Sequence, residues 1–330
     1  VYTNKVSAGA FRGYGAIQGL TGLESAMDEL AHKIGIDPVE LRRKNMIHEG
    51  ETSDVFRIMG EGTEGVAMTI ESCKLEECIA RGKELIGWNP DRLVWEVAPG
   101  KVRAMGMAIA MQGSGLPLID MGSARIEFQD GGFFKLHVGA TDLGTGSDTI
   151  LAQIAAEELG VDVESIVVYS SDTDNTPFDV GAYASSTTYV SGSAVVKAAR
   201  SLKKKLIEAV AQKFGVDPAF VIFDNKTFKT LNGSKSLSLY DFSFDTLYHD
   251  GERMKTIEAT ESFTGAKSPP PYLAGFVEIE LDKETGKVEV IHYVSVADVG
   301  TPIDPNLATI QIEGAVLQGI GIALYEDVRY

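Results

Sequence analysis

Apolar residues recur at helical spacing near the start of the chain. Leu20, Leu23, Met27, Leu30 and Ile34 fall on one face of a helix of period 3.6, and Gly35 ends it. Asp37-Pro38-Val39-Glu40 opens a second helix, with an N-cap aspartate, proline at the first helical position and a glutamate in reach of the cap. Residues 50–65 are polar and glycine-containing, which predicts an exposed loop. A further helix is expected over 74–86. The proline-bearing link at 89–99 then sets the expected boundary between a helical segment, 1–95, and an α+β region, 96–330.

Past that link the pattern turns to strands. Residues 103–111 are small and apolar, and 124–128 with 133–138 flank Gln129-Asp130-Gly131-Gly132, a hairpin signal. Residues 139–146 lead into a helix over 148–159 and a strand over 165–170. A serine- and alanine-rich loop, 181–193, opens the longest helix, which runs to about 214. A second hairpin, 275–281 with 288–296, turns at Lys283-Glu284-Thr285-Gly286, and a last helix covers 306–325. Helices and strands alternate irregularly and hairpins are frequent, so the fold class is α+β with mixed sheets and packed helices, not a doubly wound parallel sheet. No solenoid-type repeat occurs.

The 330 residues, 44% apolar and 23% charged, have ordinary globular composition. A formal net charge of −17 repels phosphate backbones and anionic lipid, which argues against nucleic-acid and membrane-surface partners. Cys73 and Cys78 lack a second pair to complete a zinc or iron–sulfur pattern. They are expected to be reduced thiols at the start of an amphipathic helix, in a reducing, cytoplasmic compartment. No apolar run is expected to reach the length of a membrane span, and no signal peptide opens the chain. Val1-Tyr2-Thr3-Asn4-Lys5 and Val328-Arg329-Tyr330 read as cut points in a longer polypeptide.

Three loops place glycine or small residues just before a helix: Arg12-Gly13-Tyr14-Gly15, Leu143-Gly144-Thr145-Gly146-Ser147 and Ala184-Ser185-Ser186-Thr187-Thr188. Small residues let backbone N–H groups approach a ligand, and helix N-termini carry partial positive charge. Each loop alone reads more readily as an ordinary turn; together they suit a large anionic ligand with several polar edges, such as a nucleotide or a pterin phosphate. Gly13 to Gly19 imitates a dinucleotide fingerprint, but no apolar strand precedes it. Asp172-Thr173-Asp174-Asn175-Thr176-Pro177 imitates a calcium loop, yet Pro177 stands at the glycine position and Tyr183 where the bidentate glutamate belongs, so a solvated turn is expected. His32, His48, His137, His249 and His292 are scattered and read as structural, and no nucleophile elbow or Walker loop occurs. Redox chemistry would have to come from a bound cofactor.

Several stretches together resemble the molybdenum-binding subunits of xanthine dehydrogenases and related molybdenum hydroxylases, across nearly the whole chain. They are Ala10-Phe11-Arg12-Gly13-Tyr14-Gly15-Ala16 with Asp37-Pro38 and Arg42-Arg43-Lys44-Asn45-Met46; Gly139-Ala140-Thr141-Asp142-Leu143-Gly144-Thr145-Gly146; Ser171-Asp172-Thr173-Asp174 with Gly181-Ala182-Tyr183-Ala184-Ser185-Ser186; and Asp298-Val299-Gly300, Asn306, Gln311-Ile312-Glu313-Gly314-Ala315 and Gln318-Gly319-Ile320-Gly321. The resemblance implies that Arg12, Gly13, Leu143, Gly144, Thr145, Gly146, Ala184, Ser185, Ser186, Thr187 and Gln311 hold molybdopterin, expected in a dinucleotide form. It also implies that Tyr14 lies beside the substrate. Without the resemblance, Gln311 is equally a polar position on an amphipathic helix and Tyr14 a half-buried tyrosine beside a turn.

The activity so implied is hydroxylation of a purine or similar N-heterocycle with water as oxygen source, electrons passing to iron–sulfur clusters and FAD on partner domains or subunits of an oligomer. Aldehyde and carbon monoxide dehydrogenases are the alternatives within that chemistry; a non-catalytic assembly or cofactor-storage protein is the alternative outside it. No catalytic residue is assigned, because the family's glutamate, in a Gly-Glu motif downstream of the Gln311 helix, is expected beyond residue 330. Gly50-Glu51, Gly60-Glu61 and Gly251-Glu252 stand in other contexts. Two departures bear on the substrate. Thr145 replaces a glutamine common in relatives, and Ser114 falls about where eukaryotic-type enzymes place a stacking phenylalanine.

Overall fold

A computed structural model describes residues 4–5, 9–58, 60, 62, 64–249 and 256–329. Glu61, the Gly251-Glu252 pair and both chain termini lie outside the described residues, as does the side chain of His249. The fold is α+β, in two compact units. One is built from 1–114 and 269–330, the other from 115–268. This division departs from the one expected at the 89–99 link. The strands that follow the link find their partners near the far end of the chain, so the helical N-terminal part has no core of its own.

The first unit opens with α1 (Ala16–Ile34), α2 (Pro38–Arg43), α3 (Val55–Ile58), α4 (Leu75–Ile86), β1 (Val94–Ala98) and β2 (Lys101–Met111). The second holds β3 (Met121–Phe128), β4 (Phe134–Val138), α5 (Ser147–Leu159), β5 (Ile166–Ser170), α6 (Val190–Phe214), β6 (Val221–Asp224), β7 (Thr227–Thr230), β8 (Ser236–Ser238), α7 (Leu239–Phe244) and β9 (Glu258–Thr264). The chain then returns to the first unit for β10 (Tyr272–Asp282), β11 (Val288–Asp298) and α8 (Pro305–Leu324).

In the first unit four antiparallel strands run β1-β2-β10-β11, with β2 paired to β10 from Met111↔Tyr272 to Lys101↔Asp282. Helix α4 lies on β10 and β11 and buries Leu75, Cys78, Ile79 and Ile86 in a core shared with Met107, Tyr272, Phe276 and Val294. Gly82 is required there, because a Cβ would stand 2.3 Å from the Phe276 ring. Burial pushes the Cys78 thiol up to about 11, so it stays protonated and packs as a small apolar side chain.

Helix α1 ends at the predicted Gly35, which adopts φ 70°. Its expected apolar face is not what attaches it. Leu23, Leu30 and Ile34 are exposed, and Ala31 is the residue it buries. Charge does the anchoring: the buried Arg42 of α2 donates to Glu24 Oε2 at 2.6 Å, to Asp28 Oδ1 at 2.8 Å and to Glu24 O at 3.0 Å, while Glu24 Oε2 also accepts from Ile109 N at 3.0 Å. Asp37 caps α2 as predicted, accepting from Val39 N at 3.0 Å, but Glu40 turns to Arg43 instead of the cap.

Helix α8 overturns the expectation that no apolar run is long enough to span a membrane. Its 20 residues reach a mean hydropathy of 1.5 and none is buried within the described residues. The polar residues Asn306, Gln311, Glu313 and Gln318 make the segment look amphipathic in sequence, yet Glu313 is its only charge. Length and composition alone meet this criterion, as they do for core helices of soluble proteins.

In the second unit the sheet order is β5-β4-β3-β9, with β4 and β5 parallel and the other pairs antiparallel. Helices α5 and α6 pack on it, and Ile126, Leu136, Val138, Leu151, Leu159, Leu202 and Leu206 are buried between them. Because β4 and β5 are parallel and joined through α5, the loops after both strands and the N-terminus of α5 emerge at one sheet edge, the usual place for a ligand. A small antiparallel sheet, β6-β7-β8, and α7 complete this unit.

Candidate functional site

In the first unit the turn before α1 combines three successive left-handed residues: Gly13 at φ 95°, Tyr14 at 44° and Gly15 at 82°. Tyr14 N donates to Phe11 O at 2.7 Å and Ala16 N to Gly13 O at 2.9 Å, which closes the turn. A Cβ on Gly13 would lie 2.8 Å from Ile17 Cγ2. The turn aims Arg12 at α8. Its Nη2 donates to Gln311 O at 2.8 Å and Gln311 Oε1 at 3.2 Å, and Nη1 reaches Gln318 Oε1 at 3.5 Å. Gln311 and Gln318 stand two helical turns apart on one face. Among the described residues the guanidinium has no carboxylate partner, so an exposed cation is steered by neutral oxygens alone.

Beside Arg12 lies a cavity of about 370 Å³, open on one side and lined mainly by apolar groups. Phe11, Ile17 and Leu20 face Met111, Leu273, Ile312 and Ile322 across it, with Gln112 and Gln318 among its few polar members. Tyr14 is half-exposed and takes no part in that lining.

In the second unit the loop after β4 is gathered by one carboxylate that sequence reasoning passed over. Asp142 Oδ1 accepts from Gly144 N at 2.8 Å and Gly146 N at 3.1 Å, and Oδ2 accepts from Asp148 N at 3.3 Å. Partial burial pushes this carboxyl up, but the backbone donors outweigh it and hold it below the ordinary carboxylate value. Gly144 and Gly146 are left-handed, as predicted for a close backbone approach. Their N–H groups, expected to face a ligand, point inward to Asp142. The Asp-x-Gly-x-Gly spacing was the available sign of such a turn. Leu143 projects into solvent, and Ser147 Oγ, at the first turn of α5, is buried with no hydrogen-bond partner among the described residues.

The neighbouring loops close against this one. A Cβ on Gly139 would meet Pro177 O at 2.6 Å and Asp179 Cβ at 2.7 Å. Asp179 accepts from Gly181 N at 2.9 Å and Ser191 Oγ at 2.7 Å. The calcium-like run is a turn around Asp172, whose carboxylate accepts from Asn175 Nδ2 at 2.8 Å and Asp174 N at 3.0 Å. Within this unit, therefore, Gly139 packs against the 177–179 segment and Asp179 joins that segment to α6 through Ser191, while Ala184 and Ser185 are left-handed at φ 51° and 55°. Beneath them His137 is buried with Glu127 Oε1 3.1 Å from its Nε2. Burial, aided by Arg125 and Lys135 against the pull of Glu127, lowers the imidazole's pKa.

The first unit by itself offers an arginine fork held by two glutamines with no carboxylate partner among the described residues, and the second by itself offers small-residue turns and a buried hydroxyl with no hydrogen-bond partner among them. Both suit an anionic ligand that carries amide-like edges. Known proteins bear on which ligand. Residues 81–330 match a molybdopterin cofactor-binding domain, and residues 1–46 match a second domain of the same description. The chain is 35% identical over 336 residues to the probable hypoxanthine oxidase XdhD of Escherichia coli (strain K12), covering 100% of this chain and 34% of that protein. It is 33% identical to the putative xanthine dehydrogenase molybdenum-binding subunit XdhA of the same organism, covering 99% and 43%. It is 32% identical to that organism's aldehyde oxidoreductase molybdenum-binding subunit PaoC, covering 97% and 40%. The chain therefore spans between about a third and under half of these relatives. Among solved structures, quinoline 2-oxidoreductase from Pseudomonas putida 86 aligns at a TM-score of 0.83 with 24% identity, over 99% of this chain and 43% of that one. Carbon monoxide dehydrogenase from Oligotropha carboxidovorans aligns at 0.82 with 23% identity, over 100% and 43%. At those identities the likeness concerns the fold.

Proposed function

We propose that this chain, which belongs to the molybdopterin cofactor-binding domain family of xanthine dehydrogenase-type molybdenum enzymes, forms part of the cofactor cradle of an enzyme that hydroxylates a purine or similar N-heterocycle. The observation that carries this reading is Arg12, a guanidinium held by Gln311 and Gln318 with no carboxylate partner among the described residues. Its fork matches two oxygens of a phosphate, and neutral partners leave its charge for the ligand. In the second unit taken by itself, the buried Ser147 Oγ, without a partner among the described residues, and the small-residue turns at Gly144, Gly146 and Ala184–Thr187 suit a pterin edge at close range. When bound, the molybdenum cofactor supplies the two-electron oxidation in which water provides the oxygen. Tyr14 would rest its ring against the substrate. Iron–sulfur and flavin centres on partner domains or subunits of a cytoplasmic, oligomeric enzyme would take the electrons, and a dinucleotide tail on the pterin would add a second phosphate.

The purine preference is supported by the two xanthine- and hypoxanthine-type relatives; the similarity to an aldehyde oxidoreductase subunit supports the second reading. The test is to purify the complete enzyme containing this chain, measure molybdenum and released pterin nucleotide, and screen hypoxanthine, xanthine, quinoline-type heterocycles and aldehydes. Wild type is expected to hold about one molybdenum per subunit and to oxidise a purine; Arg12→Ala is expected to lose most of the metal and Arg12→Lys less. Undiminished metal in Arg12→Ala would refute the role given to Arg12. Turnover of aldehydes alone would replace the purine assignment, and a loaded enzyme inert toward every class would favour storage or assembly.

A further inference from the structure

The turn at Ala184-Ser185 has an unusual backbone and an unusual support. Two consecutive residues with side chains sit in the left-handed region, which sterics disfavour unless the surroundings impose it. Directly before them, Tyr183 donates its hydroxyl to Asp120 Oδ1 at 2.6 Å. Asp120 is fully buried and has no cationic partner among the described residues; its other oxygen accepts from Leu116 N at 2.8 Å. A buried carboxylate needs every donor it has, so this phenol–carboxylate bond is held from both ends. The same few residues close the turn. Ser186 Oγ donates to Tyr183 O at 2.8 Å, and Gly115 N donates to Ala184 O at 2.8 Å. Gly115 O in turn accepts from Ser268 Oγ at 2.7 Å. A Cβ on Gly115 would stand 3.3 Å from both Asp120 Oδ2 and Ser186 Cβ, so the Gly115 backbone approaches the carboxylate and the turn closely.

We propose that Tyr183 is a positioning residue, whose hydroxyl, anchored on buried Asp120, fixes the left-handed Ala184-Ser185 turn in the form that meets the cofactor. The proposal rests on the assignment of Ala184–Thr187 to the cradle. In its absence the turn relaxes to ordinary backbone angles and its amides move away from the ligand edge. The Tyr183→Phe variant of the complete subunit tests it by hydrogen exchange, read on the peptide covering 181–189 and on α6, in the cofactor-free protein. Expected is at least a tenfold faster exchange in 181–189 with α6 unchanged, and the same pattern in Asp120→Asn. Unchanged exchange in 181–189 would overturn the proposal. So would acceleration that extends equally through α6, because the bond would then be general support. Molybdenum content of the assembled enzyme is the separate readout for the cradle. Loosened exchange with a severalfold loss of metal supports both ideas. Loosened exchange with full metal keeps Tyr183 as the latch and removes Ala184–Thr187 from the cofactor site.

Discussion

Replacing Arg42 with alanine asks whether α1 is held by charge instead of apolar burial. The guanidinium is 1% exposed and meets Glu24, Asp28 and the carbonyl of Pro38. Removing one member of a buried ion pair costs about 3–5 kcal/mol, chiefly through the charge left behind. Here the two carboxylates are stranded unequally. Asp28 is 38% exposed and regains water, whereas Glu24, at 13%, keeps the Ile109 N–H as its one donor among the described residues. The loss should therefore fall near the lower end, about 3 kcal/mol. With a urea slope of roughly 2–3 kcal/mol/M, the midpoint should drop by about 1 M. Both tryptophans, Trp88 and Trp95, lie in the first unit, so intrinsic fluorescence follows this unit alone. Adding Glu24→Gln to Arg42→Ala should recover part of the loss, since the stranded charge is then gone. A midpoint shift below about 0.3 M, or no recovery in the double variant, would show that the exposed leucines of α1 carry more of its attachment than the geometry allows.

Gly139→Ala should destabilise the second unit by about 1–3 kcal/mol in calorimetry, because its methyl would meet backbone atoms of Pro177 and Asp179. Gly22→Ala, at an open site in α1, should instead stabilise by up to about 1 kcal/mol, and opposite signs in the two variants are the check. Asp142 titrates below its ordinary value in the folded chain, so its contribution is present above about pH 4 and is lost as the pH falls through the depressed folded value. Asp142→Asn should reduce that acid-dependent loss and lower stability at neutral pH by about 1 kcal/mol; identical acid-unfolding curves would refute it. His137 should titrate below 6.5 by proton NMR because burial disfavours its charged form, with stability rising as the pH climbs through that window; a titration at or above 6.5 would contradict the burial argument.

Much of the secondary structure was legible in sequence because it rests on local signals. The two long hairpins, the Asp37 cap, the glycine stops and the helix before Gly87 all follow from neighbouring residues. What escaped is non-local. The stripe on α1 has the right period but leaves Leu23, Leu30 and Ile34 exposed, since Arg42 holds the adjacent face through Glu24 and Asp28. The expected boundary at 89–99 failed because β2 pairs with β10, and pairing across that distance leaves no trace in composition. The small sheet from Val221 to Ser238 went unread because its strands are three or four residues long. At the site, Arg12 and Gln311 were picked out by resemblance, and the structure places them in direct contact. Asp142, Asp120 and Tyr183 were passed over because they organise turns from behind.

The interleaved first unit carries a consequence for synthesis on the ribosome. Strand β2 is made well before β10, its partner, and the whole of 115–268 emerges between them. The intervening unit contains its own sheets and core, so it can condense first, while β2 waits as an open edge able to recruit the wrong strand. Nascent-chain yield should then respond to slow translation between residues 115 and 268 more through mispairing of the waiting strand than through the unit being made.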